Sequence, residues 1–295
     1  MPLHKTSANR AVVVRKLQNV KCGCPVGRDV ALVFPPRLWY SDGLRVFAQA
    51  ARVHARGSGS IELGGTVVHG TLIVLEGLDG SGKATQAQAL YEHLTECGLP
   101  VRKITFPDYE SPSSALVRMY LGGEFGTDPA SVNAYAASSF YAVDRYASFK
   151  KDWEAFYRQG GVLIADRYAT SNAVHQCSKL ERADWDAFLQ WLFHYEYQLL
   201  GIPAPDLVLF LQVDPAVSQE LMHRRYQGDE SRKDIHERNI AYLNRSRQAA
   251  EYCARTLGWH SVSCTSGGAM RSRESISAEI FAAVEHLLRE KKAKS

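Results

Sequence analysis

The stretch Thr71–Leu94, TLIVLEGLDGSGKATQAQALYEHL, decides how the rest of the chain is read. It opens with TLIVLE, a short unbroken apolar run closed by an acid, the pattern of a strand buried on both faces of a parallel sheet. It ends in apolar residues at Ala87, Leu90, Leu94 and then Cys97, a helical spacing that Gly98 and Pro100 terminate. Between the two lie Gly77, Leu78, Asp79, Gly80, Ser81, Gly82 and Lys83, the order G-x-x-x-x-G-K of a phosphate-cradling loop. The glycines let the backbone curl and approach a polyphosphate closely. The loop N–H groups then point inward, and the helix begins with its positive dipole end at the phosphates. Lys83 adds a full charge that reaches the β- and γ-phosphates. A buried strand before the loop and an amphipathic helix after it separate such a loop from a chance glycine run. Residues Gly77 to Thr85 are therefore expected to hold nucleotide phosphates.

One residue departs from the pattern. The position after the lysine, where a hydroxyl ordinarily holds magnesium, is Ala84, and a threonine follows only at Thr85. Thr85 is no simple replacement, because adjacent helical residues point about 100° apart. Magnesium would rely on phosphate oxygens, water and a nearby carboxylate, which its habit of keeping several waters allows.

Outward from this stretch the same grammar repeats. VRKITF reads as a second strand, VLIA as a third, PDLVLFLQV as a fourth and the end of LGWHSVSC as a fifth. Val132, Ala136, Phe140, Val143 and Ala147 mark one face of a long helix running towards Arg158, an aromatic-rich helix follows around Trp185–Leu200, and Ile276, Ile280, Val284 and Leu287 line a last helix. Strands alternating with helices predict an α/β fold, a five-stranded parallel sheet with helices on both faces. Ligands in such folds bind at the carboxyl ends of the strands. The chemistry is expected just after Glu76, Phe106, Ala165 and Val213, where unusual polar residues stand.

Asp166 closes the third strand, the position from which an aspartate binds magnesium directly or through water. Arg167 beside it can fork onto phosphate oxygens. Tyr141 and Arg145, four apart in SFYAVDRY, face one direction on the preceding helix; by themselves they read as core packing, or as an aromatic plate beside an arginine suited to a base. After the fourth strand the chain is dense in charge, with Arg224, Arg225, Arg232 and Lys233 around a glycine-containing centre. That run reads either as a solvated helical face or as a short Arg-rich lid closing over a transferring phosphoryl group.

The whole chain has 295 residues, 45% hydrophobic and 22% charged, with a net charge of +4. No run approaches the roughly eighteen apolar residues needed to span a bilayer, so no membrane partner is expected. Residues 1–69 carry ten Lys/Arg against three acids, which leaves the remainder slightly acidic. The body is therefore not expected to bind nucleic acid. Residues 1–69 read as a basic, poorly ordered N-terminal extension or as sequence upstream of the true start. A transit peptide is a further reading, while Cys22 and Cys24 lack a second ligand pair for a metal. ARGSGSIELGG suits a linker, and the boundary is placed at His69, giving a domain over 70–295. Of the six cysteines four stand singly, Cys97, Cys177, Cys253 and Cys264, as expected of reduced thiols in a cytoplasmic protein.

Taken in order, EGLDGSGKATQ, FPDYES, FYAVDRY, DRYATSNAVHQ and a charged lid with DIHE after LQVDP resemble thymidylate kinase, within the P-loop nucleoside-monophosphate kinases, over about residues 70–290. The resemblance implies the P-loop NTPase fold and transfer of the ATP γ-phosphoryl to dTMP with magnesium, in a homodimer. It places Tyr141 on the thymine ring, Arg145 on the base carbonyl and Arg167 on the dTMP phosphate. It puts Asp79 near the acceptor's 3′-hydroxyl and Phe106 and Pro107 at the monophosphate pocket, with Asn172, His175 and Gln176 near sugar and base. His175 stands where the family more usually has an aromatic. No arginine lies inside the phosphate loop, which implies that Arg225 and Arg232 of the lid supply that charge. Lys83, Asp79, Arg167, Arg225 and Arg232 are the expected catalytic set and Asp166 the expected metal residue. The alternatives are another nucleotide or nucleoside kinase of this fold, or a nucleotide-binding regulator weakened at Ala84.

Overall fold

The computed structural model describes residues 69–214, 216–218, 220–221, 236 and 240–294. All of these belong to the unit Gly64–Ser295. The N-terminal extension lies outside the described residues, as do Arg225 and Arg232 of the expected lid.

Five parallel strands form the sheet: β1 (Thr71–Glu76), β2 (Val101–Thr105), β3 (Val162–Asp166), β4 (Leu207–Gln212) and β5 (His260–Ser263), in the order β2-β3-β1-β4-β5. This is the α/β, P-loop type of sheet expected from the sequence. The register sets Leu75 beside Asp166 and Thr105 beside Asp166, so β1, β2 and β3 end on one edge. β1 leads through α1 (Lys83–Glu96) to β2 on one side, and β3 leads to β4 on the other. The two crossovers part at the carboxyl end of β1, and that divergence opens the crevice.

The continuous apolar runs have a plain cause. Successive side chains of a strand point to opposite faces, and both faces are covered. Ile73, Leu75, Ile164, Leu209 and Val262 pack under Leu90 and Leu94 of α1 and under Ile276, Ile280 and Val284 of α8 (Arg273–Lys294). Leu72, Val74, Leu163, Ala165 and Val208 face the other way, onto Phe149, Trp153 and Tyr168. A further layer packs α5 (Ala169–Cys177), α6 (Trp185–Phe193) and α7 (Ile240–Thr256) around Ala173, Phe188, Leu192 and Cys253. Among the described residues no helix is long and apolar enough to cross a membrane. Cys97, Cys177, Cys253 and Cys264 are free thiols.

Two expectations need correction, and one element was not foreseen. Cys97 is exposed and lies just past α1, so the buried helical face ends at Leu94. The long helix is α3 (Ala134–Ser148), extended through a π-helical turn at Phe149–Trp153 into α4 (Glu154–Arg158). Its inward face is not the apolar stripe: Ala134, Ala137, Ser138, Ala142 and Arg145 are buried, whereas Val143 is exposed. The helix borders a polar cavity, so small and hydrogen-bonding residues turn inward there. Finally, β6 (Thr265–Ser266) and β7 (Ala269–Met270) form a short antiparallel hairpin that the sequence patterning did not predict. A short helix, α2 (Ala115–Leu121), lies between β2 and α3.

Candidate active site

The loop after β1 has the backbone its sequence demands. Gly77 sits at φ 156°, and a Cβ there would come within 2.7 Å of Ser81 Oγ and 2.9 Å of the Leu211 carbonyl. Gly82 takes the left-handed conformation, φ 84°, and leads directly into α1. A side chain would strain either turn. Lys83 folds back over the loop, its Nζ donating to the carbonyls of Gly77 at 2.8 Å and Leu78 at 2.9 Å. Burial, and then the Arg167 charge, lower its pKa to about 8 although Asp79, Asp166 and Glu76 oppose the shift. Ala84 and Thr85 are exposed on the first turn and line the same cavity as Lys83.

Arg167 follows β3 in a left-handed backbone, φ 67°, rare for a residue with a side chain. Its N–H donates to the Leu75 carbonyl at 3.1 Å, which fixes this turn to the end of β1. Its guanidinium bonds Asp79 and stands 3.8 Å from Glu76. Burial works against the Arg167 charge, but Asp79 and then Glu76 hold it above its ordinary range. Burial alone would raise the Asp79 pKa; Arg167, followed by Lys83, holds that carboxyl well below the usual carboxylate range. Both groups are thus ionised, and they bridge the phosphate loop to the third strand end.

The site also contains an acid that sequence reasoning left without a role. Glu76 is buried and accepts from the Gly77 N–H at 3.0 Å, Thr170 Oγ1 at 2.8 Å and Ser171 Oγ at 2.8 Å. It ties the loop to the first turn of α5. The available signal was an acid closing an otherwise apolar run.

Phe106, Pro107, Tyr141, Arg145, Asn172, His175 and Gln176 line a cavity of about 770 Å³ together with Asp79, Lys83 and Arg167. The structure therefore brings the expected acceptor residues together, with a cis Phe106–Pro107 bond at the end of β2. Arg145 is buried and bonded twice to Glu196, which lies on the π-helical turn His194–Leu199 that follows α6. Burial opposes the Arg145 charge, and Glu196 more than offsets it. Asn172 Nδ2 donates to the Ser138 carbonyl at 3.1 Å and to Glu196 at 3.2 Å. Gln176 is fully buried, and among the described residues neither its Nε2 nor its Oε1 has a hydrogen-bond partner.

His175 lies 3.4 Å from Arg167 Nη1 and 3.3 Å from the Tyr242 hydroxyl, with its ring stacked on those of His236 and Tyr242. Burial, then repulsion from Arg167, lowers its pKa to about 3, so it is neutral at physiological pH. Tyr242 comes from α7, far along the chain, and no local pattern marked it. Asp166 stands half-buried at the end of β3. Among the described residues no three His, Cys, Asp or Glu side chains gather as a metal cage.

A family model described as Thymidylate kinase matches residues 75–269. The thymidylate kinase of Mycobacterium tuberculosis is 32% identical over 191 residues, covering 64% of this chain and 87% of that protein. The human thymidylate kinase is 32% identical over 162 residues, 54% of this chain and 70% of its own length. The solved thymidylate kinase of Candida albicans superposes with a TM-score of 0.54 at 23% identity, over 74% of this chain and 92% of that one, a likeness of fold. With the family model spanning more than half of its residues, the chain belongs to the thymidylate kinase family.

Proposed function

We propose that this chain transfers the γ-phosphoryl group of ATP to dTMP, giving dTDP and ADP. The observation that carries the reading is one cavity with two different sets of lining groups. The loop with Lys83 supplies one; Tyr141, Arg145 and Asn172 supply the other, and Arg167 bonds Asp79 of the loop and approaches His175 of α5. One set suits a polyphosphate and the other a flat base with a polar edge.

Phosphoryl transfer asks the protein mainly for positioning and charge neutralisation. In this reading the loop N–H groups and the start of α1 hold the donor phosphates. Lys83 exchanges its two loop carbonyls for phosphate oxygens, a charge-assisted bond in place of neutral ones. Arg167 aligns the acceptor phosphate, and Asp79, which it now bonds, faces the acceptor's sugar. Tyr141 stacks on the base, Phe106 and Pro107 shape the monophosphate pocket, and His175 and Gln176 border sugar and base. Arg225 and Arg232 supply the remaining charge over the transferring group.

The carboxylates fit magnesium. The ion commonly takes one or two carboxylates plus phosphate oxygens and water rather than an all-protein cage. Asp166, near enough to Lys83 to act on its charge, would be such a carboxylate. Magnesium held there would supply charge neutralisation to the transferring group. We further infer a homodimer, because Tyr135, Val143 and Tyr146 leave an exposed apolar stripe along α3, and a cytoplasmic location, since free thiols suit a reducing compartment. Sedimentation of the purified chain tests the first.

The deciding experiment is dTMP-dependent release of ADP from ATP. Turnover is expected with dTMP in preference to dCMP, AMP and thymidine, and Lys83→Ala should abolish it while leaving the circular dichroism spectrum unchanged. ATP binding without turnover would reject the assignment.

A further inference from the structure

We propose that Glu196 is a specificity-determining positioning residue. By holding Arg145 and Asn172 together, it sets the hydrogen-bond pattern that the cavity offers to the acceptor's base. The inference rests on the reading above, in which those two residues face the base.

Glu196 lies on the turn after α6 and is completely buried. Its Oε2 accepts from Arg145 Nε at 2.9 Å, and its Oε1 accepts from Arg145 Nη2 and from Asn172 Nδ2 at 3.2 Å. The second bond of Asn172 Nδ2 runs to the Ser138 carbonyl at 3.1 Å. A carboxylate and a carbonyl can only accept. Both amide hydrogens of Asn172 therefore face inward, and the network decides which way the amide is turned. Its Oδ1 is what remains for the cavity that Asn172 lines. Arg145 has used two of its five N–H groups on Glu196 and can only donate with the others.

The cavity thus presents an acceptor, Asn172 Oδ1, beside donors from Arg145. A base edge with a ring N–H next to a carbonyl matches this order, and thymine and uracil both have it. Cytosine inverts both groups, with a bare ring nitrogen beside an amine. Its recognition would leave buried polar groups facing their own kind, the situation that gives strong discrimination in hydrogen-bonding sites. Without the Glu196 carboxylate, the Ser138 carbonyl alone holds the Asn172 amide in this sense, and the buried Arg145 charge loses its carboxylate partner.

The test is Glu196→Gln, which keeps the side chain's shape and replaces one acceptor oxygen by a donor. Initial rates are measured with dTMP, dUMP and dCMP as acceptors. The expected result is a fall of roughly 10- to 100-fold in kcat/KM for dTMP and dUMP, with dCMP unchanged or improved, as hydrogen-bond mispairing in a closed site implies. The ratio of dTMP to dCMP collapses while KM for ATP stays unchanged. A merely structural role lowers all three acceptors together, and that outcome overturns the proposal. So does an unaltered ratio. If the unsubstituted chain turns over dTMP without preferring it to dCMP, base reading by Arg145 and Asn172 is itself wrong; this failure is visible before any variant is made. Should E196Q not fold, Glu196→Asp, which keeps the charge but shortens its reach, is read on the same ratio. A smaller but definite loss of selectivity is expected from it, and an unchanged ratio overturns the proposal.

Discussion

Lys83 shows how a single residue's environment can be turned into a measurement. Its pKa is lowered to about 8, so in the free protein it is charged below that pH and loses its proton as the pH rises through it. A polyphosphate placed beside it favours the charged form. ATP binding should therefore take up no proton at Lys83 near neutral pH and about one proton well above pH 8, and the apparent ATP affinity should weaken across the same range. Calorimetry in buffers of different ionisation enthalpy reads both; proton uptake that stays flat with pH would exclude Lys83 as the phosphate ligand. Ala84 is the complementary case. It is exposed on the first turn of α1 and lines the cavity, so a hydroxyl there meets no steric obstacle. Ala84→Ser is expected to shift the magnesium dependence of turnover more than it shifts ATP binding. Identical magnesium titrations would mean that the position does not contact the ion's coordination sphere. Asn172 adds a different lesson at this scale: its chemistry in the cavity is set by partners behind it, not by its own identity.

At the scale of elements, α1 and α3 use opposite logic. α1 buries Ala87, Leu90 and Leu94 against the sheet, and its apolar spacing alone predicts that face. Leu90 is fully buried, so Leu90→Ala should cost about 2–5 kcal/mol in urea unfolding. A loss below about 0.5 kcal/mol, typical of surface substitutions, would mean that this helix does not pack as described. α3 turns Ala137, Ser138, Ala142 and Arg145 inward and leaves Val143 and Tyr146 outside. Its apolar periodicity therefore does not coincide with its buried face. A helix packed on a polar cavity is positioned by hydrogen bonds and small side chains, and these carry no hydrophobic period. Its start is set locally: Asn133 Oδ1 accepts from the Ala136 N–H at 2.9 Å. Asn133→Ala should cost about 1 kcal/mol without altering acceptor selectivity, as thermal melting and the acceptor rates will show.

At the scale of the molecule, the five strands, both covering layers and the cavity lie within the described residues after Gly64. A chain beginning at His69 is accordingly expected to retain dTMP-dependent ADP release, measured in the same coupled assay. Its inactivity would show that residues 1–68 contribute to the site. The sheet, its parallel sense and the phosphate loop were legible in the sequence because each rests on local chemistry: apolar runs of strand length, glycines at the turns, a lysine at a helix start. The gathering of Tyr141, Arg145, Arg167 and Asn172 was legible only through resemblance to a known family, since nothing local relates α3 to α5. Glu196, Tyr242 and the inward turn of Glu76 were not legible. Glu196 meets Arg145 across 51 positions and Tyr242 meets His175 across 67, and such pairings leave no periodic trace. The sequence by itself determined that this chain builds a parallel sheet with a phosphate-binding loop at its centre, because short-range sterics and hydrophobic alternation suffice for that. Only the tertiary structure decided which buried carboxylate orients which donor, because a hydrogen bond depends on where two distant side chains meet.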